Sequence, residues 1–366
     1  MANTVIAAGH ICLDITPVFP AAARPEIAEL LRPGKLLHVG AADVHTGGSA
    51  ANTGLALKIL GNDVRLLGKI GVDAFGGMVK SIAAGYGVGG LIEDTDSATS
   101  YSVVLAVPGQ DRIFLHCPGA NDSFSAADVP ESALEDAVLF HFGYPPLMKR
   151  MYSDGGEELA AMLRAVKEHG VATSLDMAAV DPASEAGRAD WRGILRRALP
   201  YVDFFVPSLE ELCFMLDREL YEKFERTHRL DPRREVLPLA EEALSLGCRV
   251  VLIKCGADGM VYKTAGAEEI ASVGSRLPLD ASLWADREGI QPCFEAERVL
   301  SATGAGDTSI AAYLTAVLRG YSPADCAGLA AAEGACCVTA YDALGGLLPL
   351  EELEAKIRAG WKTAEG

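Results

Sequence analysis

Short apolar runs alternate along the chain with longer segments in which apolar positions recur every three or four residues. The runs at 5–8, 64–70, 138–142, 171–175, 202–206 and 250–253 are each bounded by Gly, Pro, Asp or Asn and predict buried strands. The periodic segments 51–60, 75–83, 157–169, 209–216 and 239–246 predict helices, with Gly170 and Gly247 placed as C-caps. Strands and helices in alternation predict an α/β fold with a central, mainly parallel sheet covered by helices on both faces. The last third reads differently, because 306–319, 323–339 and 350–359 are successive helices with little strand between them.

Three segments do not fit that alternation. Residues 12–19, 36–45 and 100–116 have a half-exposed pattern, and the last reads as a hairpin around Pro108-Gly109-Gln110-Asp111. Together they predict a small second sheet, a β lid projecting from the main sheet. Residues 264–296 are weakly patterned and are expected to form a surface excursion. With no internal repeat, residues 1–366 are expected to make a single domain with this lid.

Composition narrows the function. Half of the residues are hydrophobic, yet no apolar run approaches the roughly 20 residues that span a bilayer. The first nine residues lack the basic region and apolar stretch of a signal peptide, so a cytoplasmic protein is expected. The nine cysteines are scattered and form no Cys-x-x-Cys pair, which argues for reduced thiols and against a zinc site. A net charge of −18 without a Lys/Arg stripe argues against nucleic acid. A bound nucleotide must then be held by local features such as backbone N–H groups, a helix terminus or Mg²⁺.

Two glycine turns supply such features. Ser301-Ala302-Thr303-Gly304-Ala305-Gly306-Asp307 leads directly into a helix, and its amides can converge on an anion that the helix dipole also favours. Asp307 stands where a general base would accept a proton from an attacking hydroxyl; its plainer reading is a helix N-cap. Thr46-Gly47-Gly48-Ser49-Ala50-Ala51-Asn52 likewise precedes a helix, and Asn52 can bond vicinal hydroxyls; its plainer reading is a structural turn.

These turns resemble the two signature regions of the ribokinase-like carbohydrate kinases, the PfkB family. Between them, Gly119-Ala120-Asn121, Pro207-Ser208-Leu209-Glu210-Glu211 and Lys254-Cys255-Gly256-Ala257-Asp258-Gly259 follow in the family's order and approximate spacing. The resemblance implies a ribokinase-like fold and ATP-dependent phosphorylation of a hydroxyl on a neutral sugar or sugar-like substrate. It implies Asp307 as catalytic base, with an anion hole at Gly304, Ala305 and Gly306 and with Thr303 beside the nucleotide. It implies Asp14, Gly47, Gly48 and Asn52 for the substrate, Ser208, Lys254, Gly256 and Gly259 for ATP, and Glu211 for Mg²⁺. A homodimer formed through the lid is expected, with no nucleic acid or membrane partner.

The departures from the pattern bear on the ligands. Ser208 replaces the usual Asn, and Lys254 stands where Thr or Ser is common, which redistributes the phosphate contacts and lets Lys254 supply charge. Ser49 replaces the Lys of ribokinases proper. Ser301 replaces an Asp that helps to order a monovalent cation, which leaves K⁺ open. A nucleoside kinase of the same family and a non-catalytic sugar- or nucleotide-binding paralogue are the alternatives. Gly85, Gly87 and Gly90 match dinucleotide-binding spacing but follow a helix-like segment, so they read as a loop. The histidines, His10 and His141 among them, read as packed or surface residues, while Arg112 and His116 on the lid are held open as substrate contacts.

Overall fold

The structure, a computed structural model, describes residues 4–19, 32–107 and 113–364. The strands among them are, in chain order, β1 (Thr4–Gly9), β2 (Cys12–Pro17), β3 (Ala42–Gly47), β4 (Asp63–Leu67), β5 (Lys69–Gly71), β6 (Ile92–Asp94) and β7 (Tyr101–Leu105). There follow β8 (Ile113–Cys117), β9 (Ala137–Gly143), β10 (Ala172–Leu175), β11 (Phe204–Phe205), β12 (Val250–Lys254), β13 (Met260–Thr264) and β14 (Glu288–Gln291). Eight of them form the main sheet in the order β14-β13-β12-β11-β10-β9-β1-β4. The strands from β4 to β12 are parallel, β13 is antiparallel to β12, and β14 is antiparallel to β13.

Alternate residues of the parallel strands feed two cores. Ile6 and Ala8 pack with Phe140 and Phe142 on one face, and Val5 and Ala7 with Leu139 on the other. Helices Glu157–Glu168, Trp191–Ala198, Leu209–Leu216 and Leu237–Ser245 cover the first face. Helices Ser49–Ile59, Ala305–Leu318 and Pro323–Cys337 cover the second. Apolar burial on both faces is why these strands read as continuous runs rather than as alternations. Helix Ala305–Leu318 is buried from Asp307 to Val317, packed against both of its helical neighbours. Its apolar residues therefore surround it on all sides, and a carboxylate in its first turn is carried into the interior.

The small sheet has the order β3-β2-β7-β8, with β2 and β7 parallel and the other pairs antiparallel. Its third-segment turn and Arg112 lie outside the described residues. Strand β3 begins at Ala42 rather than near residue 36, since Leu36 is exposed and this stretch approaches β2 through the Gly40 N–H to the Val18 carbonyl, 2.7 Å.

Two other expectations need correction. The run 64–70 is not one strand: the chain leaves the main sheet at Gly68, and β5 pairs with β6 in a separate two-stranded ribbon. A Cβ at Gly68 would lie 2.6 Å from Ile11 Cγ2, so the path turns where only glycine fits. Residues 264–296 are not a surface excursion either, because β14 completes the sheet edge and Trp284 is buried edge-on against Phe204 at 6.2 Å between centroids. Glu288, Gly289 and Gln291 give β14 no apolar run to read, as suits a half-covered edge strand.

Candidate active site

The parallel strands end along one edge of the sheet, where open α/β folds bind their ligands. His10 follows β1, Tyr144 follows β9, Asp176 follows β10, Lys254 closes β12, and Ser208 lies three residues beyond β11. The helices starting after Gly48, Ser208 and Gly304 direct their N-termini to the same edge.

Asp307 is not the N-cap of its helix. Gly304 is, with φ 77°, and it makes no side-chain cap. A Cβ at Gly304 would sit 2.2 Å from the Ala343 methyl, so backbone angle and packing both call for glycine. The Ala305 N–H turns back to the Ala302 carbonyl at 3.3 Å, while the Gly306 N–H, in the first turn of the helix, has no carbonyl partner within it and is available to an anion. The Thr303 N–H donates to Ser301 Oγ at 3.1 Å.

The Asp307 carboxylate is 2% exposed and is held from two directions. Asn52 Nδ2 and the Tyr144 hydroxyl each donate to Oδ2 at 2.9 Å, while Thr53 Oγ1 reaches Oδ1 only at 3.5 Å. Burial raises its pKa, opposed by the Asn52 hydrogen bond, the Lys254 charge and the Tyr144 hydrogen bond. A buried carboxylate whose pKa is raised while hydrogen bonds keep it ionisable has the chemistry of a proton acceptor.

Lys254 Nζ forms a buried ion pair with Asp176 Oδ1 at 2.6 Å. Burial works against its charge, but Asp176, Glu211 and Asp307 outweigh that effect and raise its pKa. Burial in turn pushes the Asp176 carboxyl up, against the pull of Lys254. A Cβ on Gly306 would lie 3.5 Å from Lys254 Nζ, so the ammonium stands directly behind the glycine turn. Ser208 and Glu211 form a reciprocal capping box at the start of helix Leu209–Leu216: Ser208 N–H donates to Glu211 Oε2 at 2.7 Å, and Glu211 N–H to Ser208 Oγ at 3.3 Å. Gly256 and Gly259 bracket the turn between β12 and β13; a side chain at Gly259 would strike the Gln291 carbonyl, whereas one at Gly256 would meet nothing within 4 Å.

On the side of the small sheet, a Cβ at Gly47 would come within 2.1 Å of Asp14 Oδ2, which places the Gly47–Gly48 turn against the carboxylate of β2. Gly48 has φ 85°, and a Cβ there would meet the His10 carbonyl at 2.5 Å. His10 Nε2 lies 3.4 Å from His116 Nε2, and His116 Nδ1 lies 3.0 Å from Ser102 Oγ on β7. Burial, and secondarily His116, lowers the His10 pKa to about 3; burial also lowers that of His116. The pair is therefore neutral at physiological pH. Ser49 Oγ contacts His141 Nε2 at 3.3 Å, and His141 Nδ1 contacts Ser174 Oγ at 3.0 Å. Asn121 is a brace, its amide bonding both the N–H and the carbonyl of Ile11.

The structure thus brings Asp307, Asn52, Gly306 and Lys254 together, and Asp14 with Gly47. Tyr144 and Asp176, which sequence reasoning did not single out, stand beside this group, and His116, held open on the lid, meets His10, which the sequence read as packed or surface. Their signal was position: each of Tyr144, Asp176 and His10 directly follows a parallel strand.

Residues 11–349 match the pfkB family of carbohydrate kinases, and the chain belongs to that family. Fructokinase-2 of Oryza sativa subsp. japonica is 26% identical over 220 residues, covering 58% of this chain and 60% of that relative. The fold is similar to that of fructokinase with bound ATP from Xylella fastidiosa, with TM-score 0.72 and 19% identity over 98% of this chain and 99% of the other. It is also similar to Arabidopsis thaliana ribokinase complexed with ribose and ATP, with TM-score 0.68 and 20% identity over 97% and 98% of the two chains.

Proposed function

We propose that this protein transfers the γ-phosphoryl group of ATP to a hydroxyl of a neutral sugar or sugar-like acceptor, with Asp307 as the base. The observation that carries the reading is a buried carboxylate, gripped through Oδ2 by Asn52 and Tyr144, in the first turn of an uncapped helix beside Lys254. Asp307 takes the acceptor's hydroxyl proton as the oxygen forms its bond to the γ-phosphorus and the bond to the β-phosphate oxygen breaks, releasing ADP. The Gly304–Gly306 amides and the Lys254 ammonium face the phosphoryl oxygens as their charge redistributes. Asp14 and the Gly47–Gly48 turn orient the acceptor, and the small sheet acts as a lid that excludes water and so limits wasteful hydrolysis of ATP.

The residues fit a nucleotide with a divalent cation. The uncapped amides and Lys254 suit a triphosphate, and Glu211, whose charge is felt by Lys254, Asp176 and Asp307, suits a hydrated cation. Mg²⁺ held on the Glu211 side would supply positive charge against the charge that develops on the phosphates. Glu211 and Ser208 would hold that side of the nucleotide, and Gly256 leaves room for it.

A neutral acceptor is favoured because the turn Thr46–Asn52 has no basic residue and the neighbouring histidines are uncharged. A second phosphate would need a cationic clamp. ADP release is to be measured with ribose, fructose, nucleosides and fructose 6-phosphate as acceptors, for the wild type and Asp307→Asn. The expected result is turnover of a neutral acceptor that falls by orders of magnitude in the variant, with nucleotide affinity nearly unchanged. Full activity of Asp307→Asn overturns the base, and a tenfold preference for the sugar phosphate overturns the neutral acceptor.

A further inference from the structure

We infer that Tyr144 is a positioning residue for the base: its hydroxyl fixes the Asp307 carboxylate so that Oδ1 is the oxygen presented to the acceptor. The inference rests on the reading of Asp307 as base.

The two oxygens of Asp307 are treated unequally. Oδ2 accepts two hydrogen bonds at 2.9 Å from two separate elements, Asn52 Nδ2 on helix Ser49–Ile59 and the Tyr144 hydroxyl beyond β9. Oδ1 has only the long contact to Thr53. An oxygen engaged by two donors is a poor acceptor for a third proton, so proton transfer falls to Oδ1. The double grip also stops the carboxyl from rotating, which keeps the proton acceptor in one place relative to the attacking hydroxyl.

The chain path at Tyr144 gives the second, independent argument. Tyr144 has φ 66° and ψ 43°, a left-handed conformation that a bulky residue rarely adopts, and it precedes Pro145, which disfavours helical backbone angles in the residue before it. Such strain persists where the surroundings over-determine it, and it clusters at sites of function. Gly143 packs so closely on helix Ser49–Ile59 that a Cβ would fall 1.8 Å from Ser49 Oγ, and this contact fixes the end of β9 from which Tyr144 departs. A chain concerned only with packing could place glycine or asparagine at position 144; a tyrosine there delivers a phenol to the base.

Tyr144 is also the residue through which the lid side reaches the base. Its ring centroid lies 6.1 Å from that of His10, which meets His116 of β8, which meets Ser102 of β7. The phenol itself stays protonated, since burial and then the Asp307 charge raise its pKa far above the usual value. It is therefore a donor at every working pH, and a donor to the ionised form of Asp307 lowers the pKa of that acid.

The test reads the pH dependence of kcat/KM for the acceptor at saturating ATP. The charged and titratable groups around Asp307 are Tyr144, Lys254, Glu211, Asp176, Cys12 and Cys337, and only the first is altered. For Tyr144→Phe we expect kcat to fall tenfold or more, KM for the acceptor to change less than threefold, and the acid limb to move to higher pH by half a unit or more. Site-specific 3-fluorotyrosine at 144 keeps the shape and strengthens the donor, so it should move the acid limb to lower pH with the fold intact. An acid limb that stays in place in the fluorinated protein, or wild-type kcat in Tyr144→Phe, overturns the inference. If Asp307→Asn is inactive while both Tyr144 variants behave as wild type, the positioning role fails and the base stands. If Asp307→Asn is fully active, the reading beneath both fails.

Discussion

Glu211 shows how one side chain can carry two tasks. Its Oε2 completes the capping box with Ser208, and its charge reaches the Lys254–Asp176 pair and Asp307. Two substitutions separate these tasks. Ser208→Ala removes the hydroxyl that accepts from the Glu211 N–H together with its share of the hold on ATP, and is expected to cost about 1 kcal/mol of stability and to raise KM for ATP, with little change in the Mg²⁺ requirement. Glu211→Gln removes a unit of negative charge and is expected to raise the Mg²⁺ concentration for half-maximal rate severalfold. Melting curves and Mg²⁺ titrations of the two variants check this, and an unchanged Mg²⁺ dependence in Glu211→Gln would confine the residue to its helix. Of this constellation Asp307, Asn52, Lys254 and Glu211 are legible in the sequence because they sit in glycine-marked or strand-marked motifs. Asp176 and Tyr144 carry only the signal of following a strand, which does not tell them from other residues in that position. Their partners lie 78 and 163 residues away.

Among the elements, helix Pro323–Cys337 holds an unusual group. Glu333 is fully buried and neither carboxylate oxygen has a hydrogen-bond partner. Burial raises its pKa from 4.5 to about 8, against a weaker pull from the Leu348 backbone. Between those two values the folded chain holds a proton that the unfolded chain has released. Stability contributed by the neutral carboxyl is therefore lost as pH rises through this window, by at most about 1.4 kcal/mol per unit. Glu333→Gln keeps the shape without the charge, so it is expected to raise Tm by roughly 2–4 °C at pH 8.5 and hardly at all at pH 5. Equal shifts at the two pH values would show that no proton is released there on unfolding. Helix Ala305–Leu318, by contrast, behaves as its pattern indicates: small and apolar residues on every side mark a helix packed between others, and Asp307 is the polar residue that this burial exposes to strong pKa pressure.

At the scale of the molecule, β3 and β8 are the outer strands of the small sheet among the described residues, and Leu115 of β8 is 53% exposed. We propose a homodimer formed through this sheet, as the family resemblance suggests. Sedimentation equilibrium is expected to give twice the chain mass, and Leu115→Asp to shift it toward the monomer. A monomer for the wild type at micromolar concentration, or a dimer indifferent to Leu115→Asp, removes the small sheet as the interface.

By itself the sequence determined the class of fold, because strands covered on both faces leave uninterrupted apolar runs and their connecting helices leave a 3.6-residue period. It also determined where the chain turns into the helices at the strand-end edge, because left-handed angles and close approaches at Gly48 and Gly304 admit little but glycine. Only the tertiary structure decided that residues 264–296 finish the sheet edge and that residues 64–70 divide between two sheets. Edge strands are half-solvated and short, so their pattern fades into that of a loop. Only the tertiary structure, too, decided which groups surround the Asp307 carboxylate. Asn52, Tyr144 and Lys254 reach Asp307 or the turn before it from three separate elements, and no local pattern encodes the angle at which a side chain arrives from another part of the chain.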